Sequence, residues 1–259
     1  MQTEELCVEQ TDSVLFVTLN RPRQRNAITL TMYDEMFRLF TRVRDDRSVS
    51  CVIVSGEGDE AFAAGTDVAE FRDLRTPSDI VAYQERTDRV IASLEALATP
   101  TIAAISGACT GAGALLAACC DLRLGQSNMR FGIPIARTLG NCLSMRNTRR
   151  FADVLGPSLL KDLILTARLM NAEEALRRDL VRSLHADRRE LDEAASALAR
   201  RVAAHAPLTI AATKRSLARL RDGGSLDDYD LVTECYQSAD FRNAVTHFEP
   251  GAARVWTGA

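Results

Sequence analysis

Gly111-Ala112-Gly113 is suited to stabilise negative charge, because it joins the apolar run at residues 101–106 to a second apolar run at 114–120. The glycines, with Gly107 upstream, permit close backbone approach, and the second run reads as a buried helix that stops at Asp121. The first turn of such a helix leaves N–H groups unpaired at the positive end of its dipole. An anion, or a carbonyl oxygen becoming one, suits that position. The same frame resembles a dinucleotide fingerprint, yet the third glycine is Leu116, so an NAD-dependent oxidoreductase rests on Gly111 and Gly113 alone. No Gly-x4-Gly-Lys-Ser/Thr supports a P-loop. His185, His205 and His247 lie far apart without a second ligand at metal spacing, so no metal site is expected.

The elements around this turn follow from pattern. Val14–Leu19 is a β-rich run ended by Asn20-Arg21-Pro22, and a helix after Thr29 carries Met32, Met36, Leu39, Phe40 and Val43 on one face, closing at Asp45-Asp46. Residues 51–54 read as a second buried strand. A small-residue loop then leads to a helix near 68–74, capped by Thr66 or Asp67, and an amphipathic helix at about 80–97 delivers the chain to Pro100. Beyond Arg123 helical periodicity dominates, at 145–154, 158–165, 172–178, 190–205, 208–221 and 226–239, with a turn at Gly223-Gly224.

With 259 residues, 46% hydrophobic and 26% charged, the chain is long enough for one large α/β domain with a helical extension. A net charge of −3 argues against general nucleic-acid binding. Seven cysteines, odd in number and without Cys-x-x-Cys, argue for buried thiols in a reducing cytoplasm rather than a disulfide framework. The start, MQTEELCVEQ, has no signal-peptide pattern. Residues 99–120 are uncharged but too weakly hydrophobic and glycine-broken for a membrane span.

The ordered set Asn20-Arg21-Pro22, Asn26-Ala27, Ala61-Phe62-Ala63-Ala64-Gly65-Thr66-Asp67, Gly107 with Gly111-Ala112-Gly113, Cys120-Asp121, Phe131-Gly132-x-Pro134, Leu165-Thr166-Ala167 and Val255-Trp256 resembles the enoyl-CoA hydratase/isomerase (crotonase) superfamily over nearly the whole chain. The resemblance implies an α/β fold, a crotonase-like β/α spiral core at 1–200 with a C-terminal helical trimerisation region at 201–259, and homotrimers or hexamers. It implies an acyl-CoA thioester as substrate, with no separate cofactor. It also implies two backbone N–H groups holding the thioester oxygen, which map onto Thr66 and Ala112. Both follow small-residue loops at helix starts, where preorganised donors can stabilise an enolate. Ala64, Gly65, Asp67 and Gly111 belong to the same binding loops, Ala27 to the Asn-Ala element beside them.

Departures from the family pattern define narrower chemistry. Hydratases of the family use two glutamates for water activation and proton exchange; the first maps to Leu115 and the second to Ile135, or to Ala136 if a length difference falls earlier. None of these carries a proton. Ser144 maps to the position of an essential aspartate in some relatives, and Ser144, Asn141, Thr138 and Arg137 can orient water or a substrate group by hydrogen bonding. The other reading of those four is a helix cap with solvated neighbours. Where relatives carry a basic run near the end, this chain has Gly251-Ala252-Ala253-Arg254, leaving Arg25, Arg23 and Arg254 as candidates for coenzyme A phosphates. The expected protein is a cytoplasmic, oligomeric thioester binder that stabilises an enolate without two-glutamate hydration. A non-catalytic thioester-binding or scaffold member is the alternative.

Overall fold

The runs CVIVSG and TIAAI are apolar at odd and even positions alike, so as strands they must be covered on both faces. The computed structural model describes residues 4–224, 226–227, 229–249 and 254–259. Its elements are β1 (Leu6–Thr11), β2 (Val14–Leu19), α1 (Leu30–Arg44), β3 (Cys51–Gly56), β4 (Ala61–Ala63), α2 (Pro77–Glu95), β5 (Thr101–Ile105), β6 (Ala108–Thr110), α3 (Ala112–Cys119), β7 (Leu122–Gln126) and β8 (Arg130–Gly132). There follow α4 (Ile135–Thr138), α5 (Met145–Thr166), β9 (Met170–Asn171), α6 (Ala172–Arg177), β10 (Leu184–His185), α7 (Arg188–Ala203), α8 (Pro207–Arg221), α9 (Tyr229–Tyr236) and α10 (Ala239–Thr246).

One sheet has the strand order β1-β2-β3-β5-β7-β10, parallel except for the β1–β2 hairpin; the other runs β4-β6-β8-β9, parallel except at β8–β9. Each circuit therefore lays one strand in the larger sheet and the next in the smaller: β3 then β4, β5 then β6, β7 then β8. The result is the β/α spiral that the resemblance implies. Alternation within the strands feeds two cores. Val52, Val54, Ala103 and Ile105 face α1, α2 and α3, whereas Cys51, Ile53, Ile102 and Ala104 face Leu191, Ala195 and Leu198 of α7. Six of the eight residues of α3 are buried, as a helix apolar on every side requires.

The strand-and-helix alternation of the first half is as the pattern predicts, with corrections. The turn at 68–74 is a single 3₁₀ turn, Val68–Phe71, capped by Asp67, and α2 begins earlier than predicted because Thr76 and Asp79 form a capping box with Pro77 in the first turn. β8, β9 and β10 lie in the half read as helical; they are too short to show a period, and their partners stabilise them. The two helices predicted at 145–154 and 158–165 are the two arms of α5, which kinks at Gly156 ahead of Pro157. The segment at 226–239 instead supplies α9 and the start of α10.

Charged side chains join the helices that wall the interior. Asp121, at the end of α3, accepts hydrogen bonds from Thr101 N (2.7 Å) and Lys214 Nζ (2.6 Å), tying α8 to the large sheet. Arg150 of α5 pairs with Glu95 at 2.9 Å and with Asp88, both on α2. Burial pushes the Asp88 carboxyl up, but Arg150 and Arg146 outweigh it and hold the group below the ordinary carboxylate range. Among the described residues no helix is long and apolar enough to cross a membrane, and no group of three or more His, Cys, Asp or Glu could hold a metal ion.

Arg150 is 8% exposed and bridges Asp88 and Glu95, whose other partners are Arg146 and Arg221. Arg150→Met is expected to lower the unfolding free energy by about 1.5–3 kcal/mol in a denaturant titration, the cost of losing charged hydrogen bonds while Arg146 and Arg221 still compensate the two acids.

Candidate active site

Two small-residue loops meet between the sheets. The first leaves β4 through Ala64, Gly65 and Thr66; the second leaves β6 through Gly111 into α3. Gly113 brings them together: a Cβ there would stand 2.3 Å from the Ala63 carbonyl oxygen, so the first turn of α3 lies on β4 with no space for a side chain between. Gly65 adopts φ +115°, closed to most side chains, and a Cβ on it would lie 3.7 Å from Ala112 N.

The donors follow from hydrogen-bond direction. Thr66 forms a parallel bridge with Ile28, in which Ile28 N donates to Gly65 O (2.8 Å) and Asp67 N donates to Ile28 O (2.9 Å). The Thr66 N–H is therefore turned away from Ile28. Ala112 is the first residue of α3, whose cap, Gly111, has no side-chain oxygen to accept from the opening turn. Neither N–H has a hydrogen-bond partner among the described residues. Both residues line a cavity of about 310 Å³. Two free backbone donors on one cavity wall form a site for a carbonyl oxygen that gains negative charge.

The rest of the wall is apolar or neutral. Ala64, Gly65, Gly111, Leu115 and Ile135 line the cavity, and no Asp, Glu, His, Lys or Arg does so among the described residues. Asn141 is exposed at its edge. Ser144 also borders it, but its hydroxyl caps α5 by accepting from Asn147 N at 3.2 Å, so the helix-cap reading of Ser144 describes its hydrogen bond. Thr138 likewise donates back to Pro134 O at 3.1 Å.

Four predicted contact residues lie off this wall. Asp67 caps the 3₁₀ turn at Ala69 N and pairs with Arg21 at 2.8 Å; the Ala69 amide and the Arg21 guanidinium hold its carboxyl below the ordinary range. Arg21 also donates to Ala27 O (2.6 Å) and pairs with Glu5 (3.1 Å), so Asp67 and Ala27 buttress the loop. Arg25 is exposed, and its carbonyl accepts from Ala64 N at 3.0 Å, beside the donor loop. Arg254 lies over the Phe248 ring, 5.4 Å from its centroid. Residues 251–253, where the missing basic run was noted, lie outside the described residues.

Sequence reasoning missed two tyrosines. The Thr66 hydroxyl lies 2.8 Å from Tyr33 OH of α1 and 3.0 Å from Tyr83 OH of α2. Burial pushes both phenols above their usual pKa. Tyr33 sits at helical spacing from Met36 and Phe40, and a tyrosine in such a buried stripe needs a polar partner; that was the available signal.

The structure is a two-sheet β/α spiral with two unpartnered backbone donors beside a cavity free of charged side chains among the described residues. The chain belongs to the enoyl-CoA hydratase/isomerase family, whose model matches residues 9–256. It is 31% identical to the short-chain-enoyl-CoA hydratase of Clostridium acetobutylicum over 252 residues, covering 96% of this chain and 95% of that protein. It is 32% identical to the human mitochondrial Delta(3,5)-Delta(2,4)-dienoyl-CoA isomerase over 233 residues, 85% of this chain and 70% of that one. Among solved structures, an enoyl-CoA hydratase/carnithine racemase from Magnetospirillum magneticum superposes with a TM-score of 0.91 at 31% identity, covering 100% of this chain and 97% of that one.

Gly113→Ala forces α3 away from Ala63. Thermal and denaturant melts are expected to record a loss of about 1–3 kcal/mol, the usual cost of overpacking.

Proposed function

We propose that this chain binds an acyl-CoA thioester with its carbonyl oxygen between the Thr66 and Ala112 N–H groups and stabilises the enolate formed from it, without the two-glutamate hydration machinery. The juxtaposition of two unpartnered backbone donors carries this reading. In a cavity free of charged side chains their field acts in a low-dielectric setting, where such donors are strongest. Leu115 and Ile135 support the second half of the proposal, since both wall the cavity where the family's proton-transferring carboxylates map. Reactions that require enolate stabilisation first, such as decarboxylation or a substrate-assisted isomerisation, fit this donor set. The relatives named as a hydratase and as a dienoyl-CoA isomerase support a coenzyme A thioester as the ligand.

Arg25 is the candidate for a coenzyme A phosphate, through a guanidinium that binds phosphate in bidentate fashion. Exposed Leu217, Leu220, Val232 and Val245 on the C-terminal helices support assembly into a trimer or hexamer. A cytoplasmic setting fits thiols held in the core, where burial raises the pKa of Cys120 to about 12. The second reading, a thioester binder without turnover, is favoured by the same apolar residues at 115 and 135.

Calorimetric titration with butyryl-CoA, referenced to free coenzyme A, tests the site. Proline is tolerated at the first helical position, so Ala112→Pro deletes one donor while keeping α3, and is expected to weaken thioester binding by about 2- to 13-fold, one hydrogen bond of 0.5–1.5 kcal/mol. Crotonyl-CoA hydration is expected to run at least about 10²-fold below ordinary hydratases, the contribution of one missing acid–base group. Hydration at ordinary rates would falsify the mechanism, and absence of thioester binding would remove both readings.

A further inference from the structure

The cavity holds no carboxylate, imidazole or amine among the described residues, yet an enolate formed there must take up a proton at carbon. Resting on the thioester reading above, we infer that the Thr66 hydroxyl, with Tyr33 and Tyr83 behind it, delivers a solvent proton to the α-carbon of the bound enolate.

Counting protons assigns the roles. Three hydroxyls share two hydrogen bonds, at 2.8 and 3.0 Å, so one O–H remains to be directed elsewhere. Tyr33 is 3% exposed, and Thr66 is the partner of its hydroxyl among the described residues. A buried O–H is costly without an acceptor, so Tyr33 donates to Thr66. Two arrangements then remain. In one, Tyr83 also donates to Thr66 and the Thr66 proton points to the cavity. In the other, Thr66 donates to Tyr83 and the Tyr83 proton points away.

Tyr83 borders two spaces, which gives that second direction a destination. Besides the acyl cavity it lines a surface cleft whose walls carry Glu70, Asp73, Asp79 and Glu85 together with Arg86 and Arg89. Glu70 shares that cleft with Tyr83, and its Oε1 accepts from Leu30 N at 3.2 Å. The hydroxyl chain thus runs from a polar surface cleft, lined by acidic and basic side chains, to the residue whose own N–H holds the thioester oxygen. An oxygen held there brings the adjacent α-carbon beside the same residue's side chain.

Passage from the first arrangement to the second transfers one proton. The enolate's carbon–carbon π pair takes the Thr66 proton to form the new C–H bond, and the C–O⁻ becomes C=O. Tyr83 gives its proton to Thr66 Oγ1 and recovers one from water in the outer cleft, which leaves as hydroxide. Tyr33, donating throughout, stabilises negative charge on Oγ1 during the transfer and is a positioning residue. Hydroxyl rotation restores the starting arrangement.

Deuterium incorporation at the α-carbon of 3-butenoyl-CoA in D₂O, followed by NMR, reads the same route in reverse and forward. Thr66→Val keeps the backbone donor and the branched shape but removes the hydroxyl; Tyr83→Phe removes the link to the outer cleft. Each is expected to slow exchange by about 10²-fold or more while calorimetric affinity for the thioester stays within about threefold, and Tyr33→Phe by about tenfold. Melting curves identify any variant that has not folded, and the half-buried Tyr83 variant carries the test if Thr66→Val fails. Exchange in Tyr83→Phe within about threefold of the parent, or a parent that binds the thioester without exchange, overturns the relay alone. A parent that binds no thioester overturns the acyl-CoA reading and the relay together.

Discussion

The first turn of α3 rests on β4 with 2.3 Å between the Ala63 carbonyl oxygen and the place where a Gly113 side chain would begin. From that close approach the geometry of the site follows. It brings Ala112 N beside Gly65, next to Thr66, and both Thr66 and Ala112 line the cavity. A loosely packed helix would leave two backbone amides somewhere near each other. A helix held on a strand leaves them fixed, and fixed donors need not reorganise when charge develops. The position is reinforced from the far end of α3, where Asp121 joins Thr101 and Lys214, so the helix is anchored to the smaller sheet at its start and to the larger sheet at its end.

Beside those two backbone donors stands a chamber without charged side chains among the described residues. Leu115 and Ile135 are apolar, and the polar side-chain groups that remain are hydroxyls, amides and the Cys142 thiol. Such a chamber strengthens neutral hydrogen-bond donors and penalises any charge not matched to them. Neutral proton carriers, chiefly the tyrosines facing Thr66, are therefore what the chemistry of this site has to draw on.

Much of this was legible in the sequence, for identifiable reasons. Strands buried on both faces announce themselves as unbroken apolar runs, which is why β2, β3 and β5 could be read directly. The three-residue strands β4, β6 and β8 could not, since no period fits in three residues and their stability comes from partners distant in the chain. At the site, the glycine turn advertised its backbone chemistry, and the pairing of Ala112 with Thr66 came from family resemblance. Tyr33 and Tyr83 stayed hidden because helical periodicity assigns a residue to a buried face without saying what lies opposite. Asp67 was misplaced for a similar reason: its partner, Arg21, is 46 residues away.

Arg21 links parts of the molecule that otherwise share little. One guanidinium touches Glu5, just ahead of the first edge strand, the Ala27 carbonyl and the Asp67 carboxylate immediately after the Thr66 donor. The segment ahead of β1 is thereby a mechanical stay for a cavity-lining loop more than sixty positions further on. A disturbance of that segment would reach the Thr66 loop by two routes, through Arg21 to Asp67 and through the Glu5–Thr29 hydrogen bond (2.9 Å) beside the Ile28–Thr66 bridge, so the start of the chain and the cavity wall are mechanically one unit.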